Sequence, residues 1–172
     1  FRRVLFRSVA AIANDGIAFE PHLVQSIEDS RTRESRPVER LAPVAIPARP
    51  EHLAVIRNAL VQVNREGTSA AAFKGAPYAS GGKTGTAQVF SLKGEEYKAH
   101  KVDERLRDHA WFIAYAPADK PTIALAVLVE NGGFGAQAAA PIARQVLDYW
   151  LLGTKRKEPA PSIEGPQATT RT

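Results

Sequence analysis

Cysteine is absent from the 172-residue chain. That excludes disulfides and thiolate-bound metals and says nothing of the compartment. No run of about 18 apolar residues occurs, so these residues offer no membrane-spanning helix. No secretory leader is visible, as is true of any internal fragment. There is no internal repeat. Concentrated positive charge is missing too. The formal charge of +5 is dispersed among acids, as in Lys101-Val102-Asp103-Glu104-Arg105, so no basic face marks a nucleic-acid binder. His22, His52, His100 and His109 show no metal-ligand spacing. No Ser-x-Asn triplet exists, and Ser-x-x-Lys occurs only at Ser80–Lys83.

What is present suits one globular domain with a real core: 44% hydrophobic and 24% charged residues. Residues 1–8, Phe-Arg-Arg-Val-Leu-Phe-Arg-Ser, read as a non-native leader resembling a translated sequencing-adapter sequence; the other reading is a native helix or strand end. Residues 1 to about 47 are mixed; their middle, Glu28 to Pro37, is polar and predicts a solvated loop or short hairpin, and residues from about 48 to 152 hold the dense apolar pattern. Residues 153–172, with Pro159, Pro161, Gly165 and Pro166 and few large apolar groups, predict a disordered tail.

Val9 to Ala13 is short and helix-compatible, and Asn14-Asp15-Gly16 ends it. A longer helix is predicted over Glu51–Glu66, where Leu53, Ile56, Leu60 and Val63 recur at helical spacing between Pro50 and Gly67. Strands are predicted at Gly82–Phe90, His109–Ala116 and Thr122–Val129. The last two are apolar on both faces and so need cover on both. The short link Pro117 to Pro121 permits only an antiparallel hairpin. Ala124 and Ala126 leave room for a helix on one face. A final helix over Gln137–Leu152 carries Ile142, Val146, Tyr149 and Trp150 on one side. The expected fold class is α/β: an antiparallel sheet covered by helices on both faces.

Ser80-Gly81-Gly82-Lys83-Thr84-Gly85-Thr86-Ala87-Gln88-Val89 is the chemically informative segment. It sets a lysine and two hydroxyls among glycines at the start of a strand, where a substrate backbone can approach closely. A plain glycine-rich turn is one reading. A phosphate-binding loop is another, but its first glycine would fall at Pro77, and a strand rather than a helix follows the lysine. The third is the Lys-Thr-Gly element of serine penicillin-recognising enzymes. Ser80 is not read as a nucleophile. Ser-x-x-Lys chemistry needs one helical face, and Gly81-Gly82 disfavours a helix.

Three further segments join the motif: Glu66-Gly67-Thr68; Ala99-His100-Lys101 with Glu104 to His109; and Glu130-Asn131-Gly132-Gly133-Phe134-Gly135. As a set they resemble the penicillin-binding protein 2 family, the elongation-type class B peptidoglycan D,D-transpeptidases, across roughly residues 9–152. The resemblance implies the penicillin-binding transpeptidase and serine β-lactamase-like fold, here without its two N-terminal strands. It implies a serine that attacks D-Ala-D-Ala in peptidoglycan stem peptides and is acylated by β-lactams. It assigns Lys83 to the proton relay and the substrate carboxylate, Thr84, Gly85 and Thr86 to substrate binding, and the Thr86 backbone N–H to the oxyanion hole. It implies no cofactor and no metal, no nucleic acid, cell-elongation membrane proteins as partners, and a periplasmic domain anchored in the inner membrane. The serine and its lysine are expected upstream, so these residues alone are expected to be inactive. A non-catalytic penicillin-sensor or pseudoenzyme on the same fold is the alternative. Ser91 to Asp108 reads as a solvated insertion between strands, or as a flap over the cleft or a partner-binding surface.

Overall fold

A computed structural model of the chain describes residues 2–88 and 103–153. In chain order its elements are α1 (Arg2–Ala13), β1 (Ile17–Ala18), β2 (Ser26–Glu28), β3 (Ser35–Pro37), β4 (Val44–Ala45), α2 (Pro50–Arg65), α3 (Ala70–Phe73), β5 (Gly81–Ala87), β6 (His109–Ala116), β7 (Ile123–Val129) and α4 (Gly135–Leu152). Most of the Ser91–Asp108 insertion and all of the tail beyond Gly153 lie outside the described residues.

The centre is an antiparallel sheet in the order β5-β6-β7. β6 is the middle strand and is nearly all buried, as its two-sided apolar sequence requires. Ala110, Phe112, Ala114 and Ala116 face one layer, where they pack with Phe73 and with Ala139, Ala140, Ala143 and Leu147 of α4. Tyr115 faces the other layer, against Val9 and Ala13 of α1, with Ala124 of β7 and Leu60 of α2 alongside. The expected hairpin, the helices on both faces and the close packing at Ala124 are all found.

Helix α2 begins as its sequence dictates, with proline in the first turn and Glu51 beside it, and Leu53 is its buried leucine. Helix α4 departs from expectation in its facing. Ile142, Val146, Tyr149 and Trp150 are exposed. The inward stripe is Ala139, Ala140, Ala143 and Leu147. Small side chains let the helix approach a sheet whose own face is largely alanine, so packing selects the alanine stripe over the bulky one. Ile56 of α2 is likewise exposed, contrary to its place in the predicted stripe.

Beneath α4 lies a buried polar group. Arg144 Nε donates to Asp148 Oδ1 at 2.6 Å, and Tyr78 Oη donates to the same oxygen at 2.6 Å. The Arg144 guanidinium carbon stands 5.6 Å from the Tyr78 ring centre. Burial, and then the Asp148 carboxylate, push the Tyr78 hydroxyl well above the usual tyrosine range.

Residues 17–48 form a thinner lobe of two small antiparallel pairs, β1 with β4 and β2 with β3. The polar run predicted as a loop or short hairpin is the β2–β3 hairpin. The stretch expected to be a leader runs unbroken into the predicted Val9–Ala13 helix as α1.

Candidate active site

β5 is an outer strand. β6 pairs along one side, and among the described residues no strand pairs along the other. Lys83 and Thr86 are exposed; Thr84 and Gly85 are half-buried. Strand alternation puts Lys83 and Gly85 opposite Ile113 and Trp111 on one face, and Thr84 and Thr86 opposite Phe112 and Ala110 on the other. These side chains therefore converge only on something held along the open edge. A groove of about 220 Å³ is lined by Lys83, Thr84 and Thr86 of β5, Trp111 and Ile113 of β6 and Leu5 of α1, among others. A larger cavity of about 600 Å³ sits beyond the end of α2, between Arg65, Phe73 and Tyr78, and contains none of the motif side chains. Chemistry, not size, selects the groove.

Lys83 Nζ donates to the Thr84 carbonyl oxygen at 2.7 Å. Among the described residues no carboxylate pairs with it, so within them its positive charge stands unpaired beside the groove. Such a charge favours an anionic group of a ligand, with charge-assisted hydrogen bonds available from lysine and threonine.

The strand is held in place from behind. Asn64, in the last turn of α2, is buried; its Nδ2 donates to Ser80 Oγ at 2.9 Å and to the Ser80 carbonyl at 3.3 Å. Ser69 Oγ donates to Asn64 Oδ1 at 2.7 Å and lies 3.0 Å from the Val63 carbonyl. Ser80 is itself buried and on no helix. Gly82 acts differently from the sequence expectation. A Cβ on Gly82 would come within 2.6 Å of the Phe112 ring and 2.8 Å of Asn64 Oδ1. Its missing side chain serves the core, not the approach of a substrate. At Gly135 a Cβ would stand 2.3 Å from the Trp111 carbonyl and 2.6 Å from that of Gly85. The first residue of α4 thus rests directly on the motif's backbone.

Two of the quoted segments meet beside the sheet. Asn131, in the left-handed conformation, donates from Nδ2 to the carbonyls of Arg105 and Arg107, each at 3.0 Å. Its backbone N–H donates to His109 Nδ1 at 2.9 Å, which makes His109 a hydrogen-bonded histidine.

A family profile described as the penicillin binding protein transpeptidase domain matches residues 4–148. The chain belongs to the penicillin-binding transpeptidase family. Among its relatives, the peptidoglycan D,D-transpeptidase MrdA of Haemophilus influenzae is 39% identical over 147 residues, 84% of this chain and 23% of that protein. MrdA of Escherichia coli K12 is 39% identical over 153 residues, 86% of this chain and 23% of the relative. The chain thus spans about a quarter of the length of these relatives. Penicillin-binding protein 2 of Pseudomonas aeruginosa, solved in complex with WCK 5153, superposes with a TM-score of 0.63 at 34% identity, over 84% of this chain and 28% of that one. Penicillin-binding protein A of Mycobacterium tuberculosis, solved as an imipenem acyl-enzyme, gives 0.63 at 32% identity over 84% and 29%. The fold is that of penicillin-binding transpeptidases, and the resemblance to the elongation-type enzymes holds.

Within this transpeptidase framework the structure brings Lys83, Thr84, Gly85 and Thr86 to one groove. Sequence reading missed Trp111 as a groove wall, the Asn64–Ser69–Ser80 group behind the strand, and Thr68. The Thr68 hydroxyl lies 2.9 Å from that of Thr84. Thr68 stood within a segment already singled out, so its fixed distance ahead of the motif was a usable signal. Nothing in the sequence marks Asn64, whose role depends on where α2 ends.

Proposed function

We propose that this chain is part of a serine-type peptidoglycan D,D-transpeptidase of the elongation type and forms the Lys-Thr-Gly wall of its active site. The observation that carries the reading is the placement of Lys83 to Thr86 on the open edge of β5, with a groove alongside. In the proposed reaction a serine outside these residues attacks the penultimate D-Ala carbonyl of a stem peptide. The C-terminal D-Ala leaves as a protonated amine, and an ester to the serine remains. The amine of a neighbouring stem peptide then attacks the ester, forms the cross-link and returns the proton to the serine.

Lys83 attracts the terminal carboxylate and belongs to the proton relay, and the Thr84 and Thr86 hydroxyls donate to that carboxylate. The Thr86 backbone N–H is one half of the oxyanion hole. Two features support this assignment. In an antiparallel strand the N–H of Thr86 points to the same side as the Thr84 carbonyl. That carbonyl receives the Lys83 ammonium, which reaches the open edge rather than the side sealed by β6. β-Lactams would acylate the same serine. Partners among cell-elongation membrane proteins, an inner-membrane anchor and a periplasmic site follow from the family. Among the described residues no helix is long and apolar enough to cross a membrane.

Fluorescent penicillin labelling tests the reading. The 172-residue chain alone is expected to give no covalent adduct. The natural reading frame extended upstream is expected to supply Ser-x-x-Lys and Ser-x-Asn and to label. An adduct on the chain alone overturns the assignment of the nucleophile. An extended frame without that serine makes the protein a penicillin-sensor or pseudoenzyme instead. The same upstream DNA reveals whether residues 1–8 are native.

A further inference from the structure

We infer that Thr68 is a positioning residue for substrate binding: its hydroxyl donates to Thr84 and frees the Thr84 proton for the carboxylate of the ligand. The inference rests on the proposed carboxylate grip by Thr84 and adds to it a residue that does not touch the substrate. The two hydroxyl oxygens lie 2.9 Å apart, and either can donate. A hydroxyl has one proton and two acceptor lone pairs. If Thr84 spends its proton on Thr68, none is left for a ligand. If Thr68 donates, Thr84 both accepts and donates, and an ionised carboxylate, which can only accept, selects that order. Hydrogen bonds in such a chain polarise one another, so the Thr84 donor is strengthened as well as oriented.

The local structure fixes this contact. Thr68 is exposed and lies on the short connection between α2 and α3. Its neighbour Ser69 is buried and tied to Val63 and Asn64, and Asn64 is tied to Ser80 at the start of β5. The connection and the motif strand are therefore held by one buried polar group, and the Thr68 hydroxyl stays in register with Thr84. The Thr68 hydroxyl has no other hydrogen-bond partner among the described residues, so its bond to Thr84 is what the side chain does there.

The test is binding of an N-acylated peptide ending in D-Ala-D-Ala to the full 172-residue chain, compared with the same peptide as its C-terminal amide. Trp111 lines the groove and reports binding by fluorescence, in a Trp150→Phe background that removes the exposed second tryptophan. Wild type is expected to prefer the carboxylate. Thr68→Val is expected to weaken the carboxylate peptide about threefold to tenfold, the range for one lost hydrogen bond, and to leave the amide unchanged. Thr68→Ser is expected to restore binding. In a Thr84→Val background, Thr68→Val is expected to add no further loss. Equal weakening of both peptides by Thr68→Val, failure of the serine variant to rescue, or wild-type affinity in Thr68→Val overturns the inference while leaving the carboxylate grip intact. A wild-type chain that binds both peptides equally, or neither, overturns the grip itself and this inference with it.

Discussion

The three-stranded sandwich and the lobe of residues 17–48 are built from the same backbone hydrogen bonding, yet they hold their shape differently. In the sandwich, Ala110, Phe112, Ala114, Tyr115 and Ala116 of one strand have no exposure at all. In the lobe, Leu23 is fully exposed, and Phe19, Val24, Ile27, Leu41 and Val44 are largely so. The β2–β3 hairpin is closed by its turn: Asp29 N–H to the Glu34 carbonyl at 2.9 Å, and Arg33, in the left-handed conformation, to the Asp29 carbonyl at 2.8 Å. Burial therefore carries the sandwich, whereas local hydrogen bonds carry the lobe. The candidate site belongs to the first kind of structure, which suits a groove that must keep its geometry while a substrate arrives.

If that contrast is right, the largest loss comes from the centre of the sheet. Phe112→Ala empties a fully buried ring site between Phe73 and α4 and is expected to cost about 3–5 kcal/mol. Denaturant unfolding followed by circular dichroism reads the loss. Leu23→Ser, at the fully exposed lobe position, is expected to change stability by less than about 0.5 kcal/mol. Equal costs at the two positions would break the contrast.

Next is the buried pair beneath α4. Asp148→Asn leaves the Arg144 guanidinium buried without its counter-charge, and removing one partner of such a pair costs about 3 kcal/mol or more. The same measurement applies. The exposed Arg33–Glu28 pair of the lobe is the control, and Glu28→Gln is expected to be nearly silent.

A smaller effect is expected at high pH. The Tyr78 hydroxyl is pushed above the ordinary tyrosine value near 10 by burial and by Asp148. Above about pH 10 the unfolded chain releases this proton while the folded chain keeps it. The folded state then binds more protons, so stability, complete below that pH, falls as pH rises. Thermal midpoints of wild type are expected to drop more steeply between about pH 10 and 12 than those of Tyr78→Phe. Parallel slopes would remove Tyr78 from the account.

How much of this was legible in the sequence follows the same division. The β6–β7 hairpin was readable because runs such as His-Ala-Trp-Phe-Ile-Ala-Tyr-Ala are apolar on both faces and the link between them is too short for anything but a hairpin. The motif strand was readable from its glycines and lysine, although Gly82 is small for Phe112 and Asn64 rather than for a ligand. The facing of α4 was not readable. Bulky residues suggest an inward stripe, but the sheet offers alanines, and the helix meets them with its own. The polar group behind β5 was hidden because Asn64, Ser69 and Ser80 are brought together by how α2 ends, and no periodicity records that.

The smallest effect lies in the lobe and tests the contrast from its weak side. The Asp29 carboxylate accepts the backbone N–H groups of Arg31 at 2.8 Å and Thr32 at 3.0 Å. Those bonds, Thr32's first, hold its pKa below the ordinary aspartate value. The stabilisation of the turn is present above that ordinary value and is lost as pH falls through the lowered one. Acidification below about pH 4 is therefore expected to release the Arg31 and Thr32 amides, seen as shift changes and faster exchange, while amides of residues 109–116 keep their protection. Asp29→Asn keeps an acceptor oxygen and loses the titration, so its turn is expected to hold through the same range. If acid instead loosened both regions together, in wild type but not in the asparagine variant, the lobe and the sandwich would be one cooperative unit, and exposure would no longer separate what holds them.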